Sequence, residues 1–242
     1  AQTVVAEELK NQGYCYTCDS QVTFSAQGQW LRDEYICTKC HSIPRERALM
    51  HCIEKFYPRW KELAIHESSP AGRGASARLR QYCSNYIGTQ YFADFALGAV
   101  HPSGWRNEDL EQQSFAEQSF DLVITQDVME HVFQPNQAFS EIARTLKPGG
   151  AHIFTVPLIN KDKKSEPWAR QDTNGIVSFL YEPEYHGNPI NSEGVPVTMH
   201  WGYDICDYIF QSSGLYTTVV YIDDLSLGIR AEYIEVLISR KL

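Results

Sequence analysis

The stretch that decides the fold runs from Phe120 to Pro157 and reads FDLVITQDVMEHVFQPNQAFSEIARTLKPGGAHIFTVP. It predicts an apolar strand at Phe120–Thr125, an amphipathic helix at Asn136–Leu146 and a second apolar strand at His152–Val156. Parallel strands need a crossover connection, so strand, helix and strand in this order indicate a βαβ unit. The stretch therefore predicts an α/β fold with a parallel sheet.

A ligand site is expected at one end of this unit. Ligands of open parallel sheets bind beyond the carboxyl ends of the strands. In this chain that position falls at Gln126 and Asp127, and at the residues after Val156.

Further helix and strand patterns extend the sheet on both sides of the stretch. A region from Ile159 to Trp201 is rich in proline, glycine, aromatic and acidic residues and is too long for a passive connection, which predicts a lid or insert. The other predicted elements are helices at Arg45–Tyr57, Ala75–Cys83 and Gly202–Ser213, and strands at Leu63–His66, Tyr86–Tyr91, Thr217–Ile222 and Glu232–Ser239.

Four of the seven cysteines stand in two C-x2-C pairs near the start of the chain. They are Cys15, Cys18, Cys37 and Cys40, with eighteen residues between the pairs. This spacing is typical of tetrahedral Zn²⁺ sites, and four protein ligands leave no open position, so the metal would be structural. Disulfides and a redox C-x2-C are the alternatives. An odd cysteine count and the lack of a secretory signal disfavour the first. The lack of a thioredoxin-like context disfavours the second.

The net charge of −9 limits the classes of partner that the protein is expected to bind. Nucleic-acid binders need clustered Lys and Arg, whereas 21 basic residues here face 30 acidic ones, so neither nucleic acid nor a membrane surface is expected as a partner. No apolar run reaches the roughly 18 to 20 residues that cross a bilayer, and a cytoplasmic location is expected. Nothing in the sequence predicts an oligomeric state.

The segment FDLV…EH…LKPGG resembles the second half of the class I S-adenosylmethionine-dependent methyltransferase domain. The resemblance covers Leu63 to Leu242 and implies a Rossmann-like seven-stranded sheet with antiparallel sixth and seventh strands. The four-cysteine module and the following IPRERAL segment (residues 43–49) also resemble a bacterial subgroup of these enzymes. The expected domains are a zinc-binding module at 1–44 and a methyltransferase domain at 45–242, with the insert at 159–201.

The resemblance also implies a set of cofactor-binding residues. Glu67 would hold the ammonium group of S-adenosylmethionine, while Asp109 would accept from the adenine amino group. Gln90, with Asp94 as runner-up, stands where the family has an acid for the ribose hydroxyls. The implied cofactor residues are Glu67, Ser68, Gly72, Gly74, Gln90, Asp109, Leu110 and Gln126.

The candidates for catalysis are His186, His200, His131 and Asp127. Histidine suits proton removal because its charge changes near neutral pH. Each histidine could instead be structural, and a divalent metal near Asp127 stays open. The expected function is methylation of a hydroxyl on a small molecule, such as a carbohydrate or secondary metabolite. The alternatives are an RNA methyltransferase and a non-catalytic scaffold on the same fold.

Overall fold

The computed structural model describes residues 9–187 and 194–242. The chain begins with a small antiparallel sheet of three strands in the order β1-β2-β3. Inward-facing Val22, Phe24 and Ala26 alternate along β2, as expected for a strand with one buried face. The elements are β1 (Lys10–Cys15), β2 (Ser20–Ala26), the single-turn helix α1 (Leu31–Glu34) and β3 (Tyr35–Cys37).

The next elements build the parallel part of a larger sheet. Pro44 and Pro135 each occupy the first turn of a helix, where the missing N–H costs nothing. The elements are α2 (Pro44–Phe56), β4 (Ala64–Ser68), α3 (Gly74–Tyr82), β5 (Asn85–Gln90), β6 (Arg106–Asn107), β7 (Phe120–Gln126), α4 (Pro135–Thr145) and β8 (Leu146–Thr155).

The β8 strand begins earlier than the sequence predicts. The sequence predicts its start at His152, after the Lys-Pro-Gly-Gly segment. Leu146 instead pairs with Phe120, and a register irregularity after Phe120 absorbs the segment into the strand. Lys147 also connects β8 to β7, since its ammonium donates to the Asp121 carboxylate at 3.1 Å.

The predicted insert folds into short antiparallel ladders. Among its described residues, 159–187 and 194–201, the insert contains six strands of two or three residues each. They are β9 (Glu166–Pro167), β10 (Ala169–Gln171), β11 (Val177–Phe179), β12 (Tyr185–His186), β13 (Val195–Pro196) and β14 (Met199–His200), paired β9 with β14, β10 with β11 and β12 with β13.

The chain closes with α5 (Ile205–Ser213), β15 (Tyr216–Val220) and β16 (Val236–Arg240). The large sheet then has the order β15-β16-β8-β7-β4-β5-β6, in which β16 runs antiparallel to both of its neighbours. The remaining pairs are parallel. This is the predicted seven-stranded Rossmann-like sheet of class I methyltransferases.

Buried apolar side chains pack on both faces of this sheet. Helices α4 and α5 contribute to the core on one face, including Phe139 and Ile205. Helices α2 and α3 contribute to the core on the other face, including Ile53 and Leu79. With both faces covered, the carboxyl ends of the parallel strands remain as the place for a ligand.

Candidate functional site

A cavity of about 1410 Å³ opens beyond the carboxyl ends of β4, β5 and β7. Its wall combines residues from these strand ends, from the N-terminal module and from the insert. Ligand pockets for one small molecule usually span roughly 300–1000 Å³, so this cavity has room for a cofactor and an acceptor together.

Six of the eight implied cofactor residues line the cavity, and two do not. Those that line it are Ser68, Gly72, Gln90, Asp109, Leu110 and Gln126. Glu67 and Gly74 lie behind the wall. Asp94, the runner-up for the ribose contact, is exposed and also lies outside the lining.

Glu67 lies behind the wall because of strand alternation. Its side chain shares a face of β4 with Ile65, toward α3, whereas Ser68 points to the opposite face. The fully buried Glu67 carboxylate accepts from Ser76 Oγ (2.6 Å), Tyr86 Oη (2.7 Å) and Gln126 Nε2 (2.9 Å). Burial raises the pKa of Glu67 despite these bonds. Glu67 can therefore reach a ligand only through its partners.

Gln126 is the partner that faces the cavity. Its Nε2 donates to Glu67 and Ser76, which fixes the orientation of the amide. Its Oε1 is buried and has no hydrogen-bond partner among residues 9–187 and 194–242. Since a buried acceptor without a partner is costly, this oxygen fits a donor on a ligand, such as an ammonium group.

The glycines of the loop after β4 serve two purposes. A Cβ at Gly72 would meet no described atom within 4 Å, so this loop position leaves open space beside the cavity. Gly74 has a φ of +60°, and a Cβ there would lie 2.4 Å from Glu46 Oε2. Gly74 is therefore required by the backbone turn and by packing at the start of α3.

Asp109 and Leu110 occupy the other end of the cavity, near the end of β5. The Asp109 Oδ1 accepts from the Glu111 amide at 2.8 Å, which orients the carboxylate. Burial raises the pKa of Asp109. The half-buried carboxylate beside the apolar Leu110 side chain fits a flat group that carries an amino donor.

Asp127 lies at the tip of β7 in a left-handed conformation, with φ of +50°. One carboxylate oxygen accepts from Thr155 Oγ1 at 2.9 Å. The other is paired with Arg32 and, at 3.0 Å, with Arg45. Burial alone would raise the pKa of Asp127, but the two arginine charges outweigh it and the pKa is lowered. A fully engaged carboxylate of low pKa is a poor general base, so its evident effect is to position two arginines.

The three predicted histidines come together on the insert side of the cavity. Glu184 bridges two of them, accepting from His186 Nε2 at 3.1 Å and from His200 Nε2 at 2.8 Å. Burial alone would raise the pKa of Glu184, but the bonds to both histidines lower it, so the carboxylate is ionised. His131 donates from Nδ1 to the Pro196 carbonyl at 2.9 Å, and burial lowers its pKa.

Glu130 completes this group of side chains. Its side chain is 3% exposed, and its Oε1 lies 3.7 Å from His131 Nε2 and 3.9 Å from His186 Nδ1. Burial, with the charge of Asp127, raises the pKa of Glu130 well above its usual value.

The four cysteines of the N-terminal module converge as predicted. The Sγ atoms of Cys15, Cys18, Cys37 and Cys40 all lie within 4.8 Å of one another. Two of the separations are 3.7 Å (Cys15 to Cys40) and 3.9 Å (Cys18 to Cys37). A tetrahedral Zn²⁺ with bonds of about 2.3 Å would separate its sulfur ligands by about 3.8 Å. These two separations match those of a tetrahedral ion, and the four thiols fit Zn²⁺ as a group.

Comparisons with known proteins concern the larger domain of the chain. Residues 71–154 match the family described as a methyltransferase domain. A solved S-adenosylmethionine-dependent methyltransferase from Mesorhizobium loti is 18% identical, with a TM-score of 0.50 over 79% of this chain and 96% of its own. Another from Methanosarcina mazei is 14% identical, with a TM-score of 0.43 over 75% of this chain and 93% of its own. No curated protein matches the sequence.

The fold is therefore that of a class I methyltransferase. The domain match and the strand order together make this chain an S-adenosylmethionine-dependent methyltransferase.

Several residues of the cavity wall were missed by sequence reasoning. Arg32 was missed because it lies in the N-terminal module, 95 residues before its partner Asp127. Arg45 appeared only as the start of a helix, and Glu130 only as the residue before His131. The one available signal for Glu130 was its place one turn after the carboxyl end of β7.

Proposed function

We propose that this methyltransferase acts on a hydroxyl group of a small polar molecule, such as a carbohydrate or a secondary metabolite. The observation that carries the proposal is the shared cavity. Ser68, Asp109 and Gln126 line it together with His131, His186 and His200. Methyl transfer needs the acceptor, the methyl group and the sulfur in line, and one cavity that holds cofactor and acceptor can supply that alignment.

The residue best placed to remove the hydroxyl proton is His200. Its ring stacks on Trp168 with 3.8 Å between centroids, and its Nε2 donates to the ionised Glu184. This leaves Nδ1 as the basic nitrogen, and the carboxylate stabilises the imidazolium that forms when a proton arrives. His186 shares the same carboxylate and is the second candidate.

The charge around the histidines favours a small neutral or cationic acceptor over RNA. The ionised Glu184 lies within the histidine group itself, and Asp109 and Glu111 line the far end. An RNA backbone would meet these carboxylates with like charge. The same reasoning makes a membrane-surface partner unfavourable.

The proposed domain division is a zinc-binding module at 1–44 and a methyltransferase domain at 45–242, whose insert at 159–201 covers the acceptor. Zn²⁺ held by the four cysteines would be structural, since all four positions are taken. Among residues 9–187 and 194–242 no helix is long and apolar enough to cross a bilayer. A reducing compartment such as the cytoplasm fits the proposal, because the four thiolates must stay reduced.

Two measurements test this proposal. Calorimetric titration with S-adenosylmethionine should show binding, and methyl transfer from labelled cofactor should be found with a panel of hydroxylated small molecules. The variant His200→Asn should retain cofactor binding and lose methyl transfer by about two to four orders of magnitude, the usual contribution of a general base. Transfer to RNA with none to small molecules would overturn the acceptor class. A fully active His200→Asn variant would remove the assigned base.

A further inference from the structure

The Glu130 carboxylate is the most unusual polar group in the cavity wall. Both of its oxygens are buried, and neither has a hydrogen-bond partner within the described ranges. Its backbone is held firmly, since the Glu130 carbonyl accepts from the Thr198 amide at 2.7 Å and from Thr198 Oγ1 at 3.0 Å. A buried acceptor that is left without a partner costs free energy, so the site requires a cation or a donor.

Two histidines face this carboxylate with nitrogens that carry lone pairs. The Pro196 carbonyl can only accept, so His131 is protonated on Nδ1 and its Nε2 is free to bind a metal. Glu184 accepts from His186 Nε2, so the His186 Nδ1 is likewise free. These two nitrogens lie 3.7 and 3.9 Å from the same Glu130 oxygen, and all three atoms lie within 4.8 Å of one another.

The outer bonds of both histidines resemble the support that metal-binding histidines usually have. Such histidines donate their other ring N–H to a carbonyl or carboxylate, which fixes the tautomer and the ring orientation. His131 has the carbonyl and His186 has the carboxylate. Without a cation or a proton on Glu130, the lone pairs of these three side chains would face one another.

We propose that Glu130, His131 and His186 bind a divalent transition-metal ion. Two imidazoles with one carboxylate favour ions such as Zn²⁺ over Mg²⁺ or Ca²⁺, which prefer sets of oxygen ligands. Bonds of about 2.0–2.2 Å place the ligand atoms of a tetrahedral ion about 3.4 Å apart. The two separations between Glu130 and the histidine nitrogens therefore need to close by only a few tenths of an ångström. Asp127 is not a ligand, because Arg32, Arg45 and Thr155 already engage its oxygens.

Three protein ligands leave open positions directed at the cavity. The catalytic role of the ion rests on the proposed function, whereas the binding site itself does not. An acceptor hydroxyl bound at an open position would have a lower pKa, as metal-bound water does, and would therefore give its proton to His200 more readily. The acceptor oxygen then forms a bond to the methyl carbon, and the carbon–sulfur bond breaks with its electron pair on sulfur.

The experiment measures Zn²⁺ bound per chain after incubation with the metal alone and removal of the excess. The wild-type protein should hold one Zn²⁺ more than either Glu130→Gln or His186→Ala. Glu182→Gln is the matched control, because Glu182 is an exposed carboxylate of the insert outside the cavity lining, and it should hold as much as wild type. His186 is partly exposed on the insert, so its variant is expected to fold even if the Glu130 variant does not.

The four-cysteine site provides an internal reference. With Co²⁺ in place of Zn²⁺, its thiolate charge-transfer band should be equal in wild type and both variants. Equal Zn²⁺ content in wild type and His186→Ala would overturn the metal site. Calorimetry with S-adenosylmethionine on the wild-type protein decides the proposed function separately.

Discussion

Two histidines buried in the sheet predict a loss of stability in mild acid. His66 on β4 and His152 on β8 are fully buried and flank Val123 of β7 in one row of the register. Each Nε2 is bonded to a threonine hydroxyl, at 2.8 Å to Thr89 and 3.0 Å to Thr125. Each Nδ1 is buried without a partner among the described residues, so a second proton would have no acceptor.

The size of the effect follows from the pKa shifts. Burial lowers the pKa of both His66 and His152 from 6.5 to about 3. Between these values the unfolded chain binds protons that the folded chain cannot, so stability present above pH 6.5 is lost as the pH falls. For one histidine the free energy of unfolding should drop by about 1.4 kcal/mol between about pH 7.5 and about pH 5.5. For both it should drop by about 2.7 kcal/mol.

The assay compares wild type with His152→Gln by urea unfolding, followed by tryptophan fluorescence across this pH range. The glutamine amide can still bond to Thr125 but does not titrate. Its absolute stability should be lower, because the ring stacked on Phe154 is lost. The quantity that matters is the slope of unfolding free energy against pH.

The difference between the two slopes isolates His152 from every other titrating group. Glu67 and Glu130 are among these other groups. Because their pKa values are raised, they increase the free energy of unfolding as the pH falls, which is opposite to the effect of the histidines. The unfolding free energies of the two proteins should therefore diverge by about 1.4 kcal/mol in total between about pH 7.5 and about pH 5.5. Parallel slopes would mean that His152 accepts a proton in the folded protein. The expectation that this buried histidine stays neutral would then be wrong.

Three further predictions concern the site and the zinc module. Asp109→Ala should weaken S-adenosylmethionine binding by about one to two orders of magnitude, the value of a charged hydrogen bond. An unchanged calorimetric Kd would mean that the adenine end is misplaced. Cys37→Ser should lower zinc content and destabilise the N-terminal module, and full zinc occupancy by metal analysis would contradict this. Arg32→Gln should cost about 1–3 kcal/mol in urea unfolding, because buried Asp127 loses a charged partner. Arg59→Gln, which breaks an exposed pair, should cost less than about 1 kcal/mol, and equal costs would argue against the buried contact.

Local patterns predicted the elements of the fold because its strands and helices are strongly periodic. The apolar run at Phe120–Thr125 became β7, and the helical spacing after Asn136 became α4, which begins one residue earlier at Pro135. The two C-x2-C pairs predicted a cluster that depends only on short turns and one hairpin. In these cases the decisive interactions lie close together in the sequence.

The site was less predictable because its side chains depend on direction and on distant contacts. Glu67 stands at the expected strand end, yet the alternation of side chains along β4 turns it toward Ser76 and away from the cavity. If the position of Glu67 were shifted by one residue along β4, its side chain would point to the opposite face of the strand. The pairing of Arg32 with Asp127 joins two separate modules, and no local pattern encodes such a contact.

This pairing also makes the four-cysteine module part of the cavity wall. Arg47 of α2 is fully buried and donates to the Tyr35 carbonyl at 2.7 Å and to the Gly228 carbonyl at 2.8 Å. It therefore bonds the module on one side and the segment before β16 on the other. Arg32 then extends from the module to Asp127 at the tip of β7. Because these bonds fix the position of the module, zinc bound far from the reaction would still hold a wall of the cavity in place. Zinc removal should accordingly weaken cofactor binding without removing any residue that touches the cofactor.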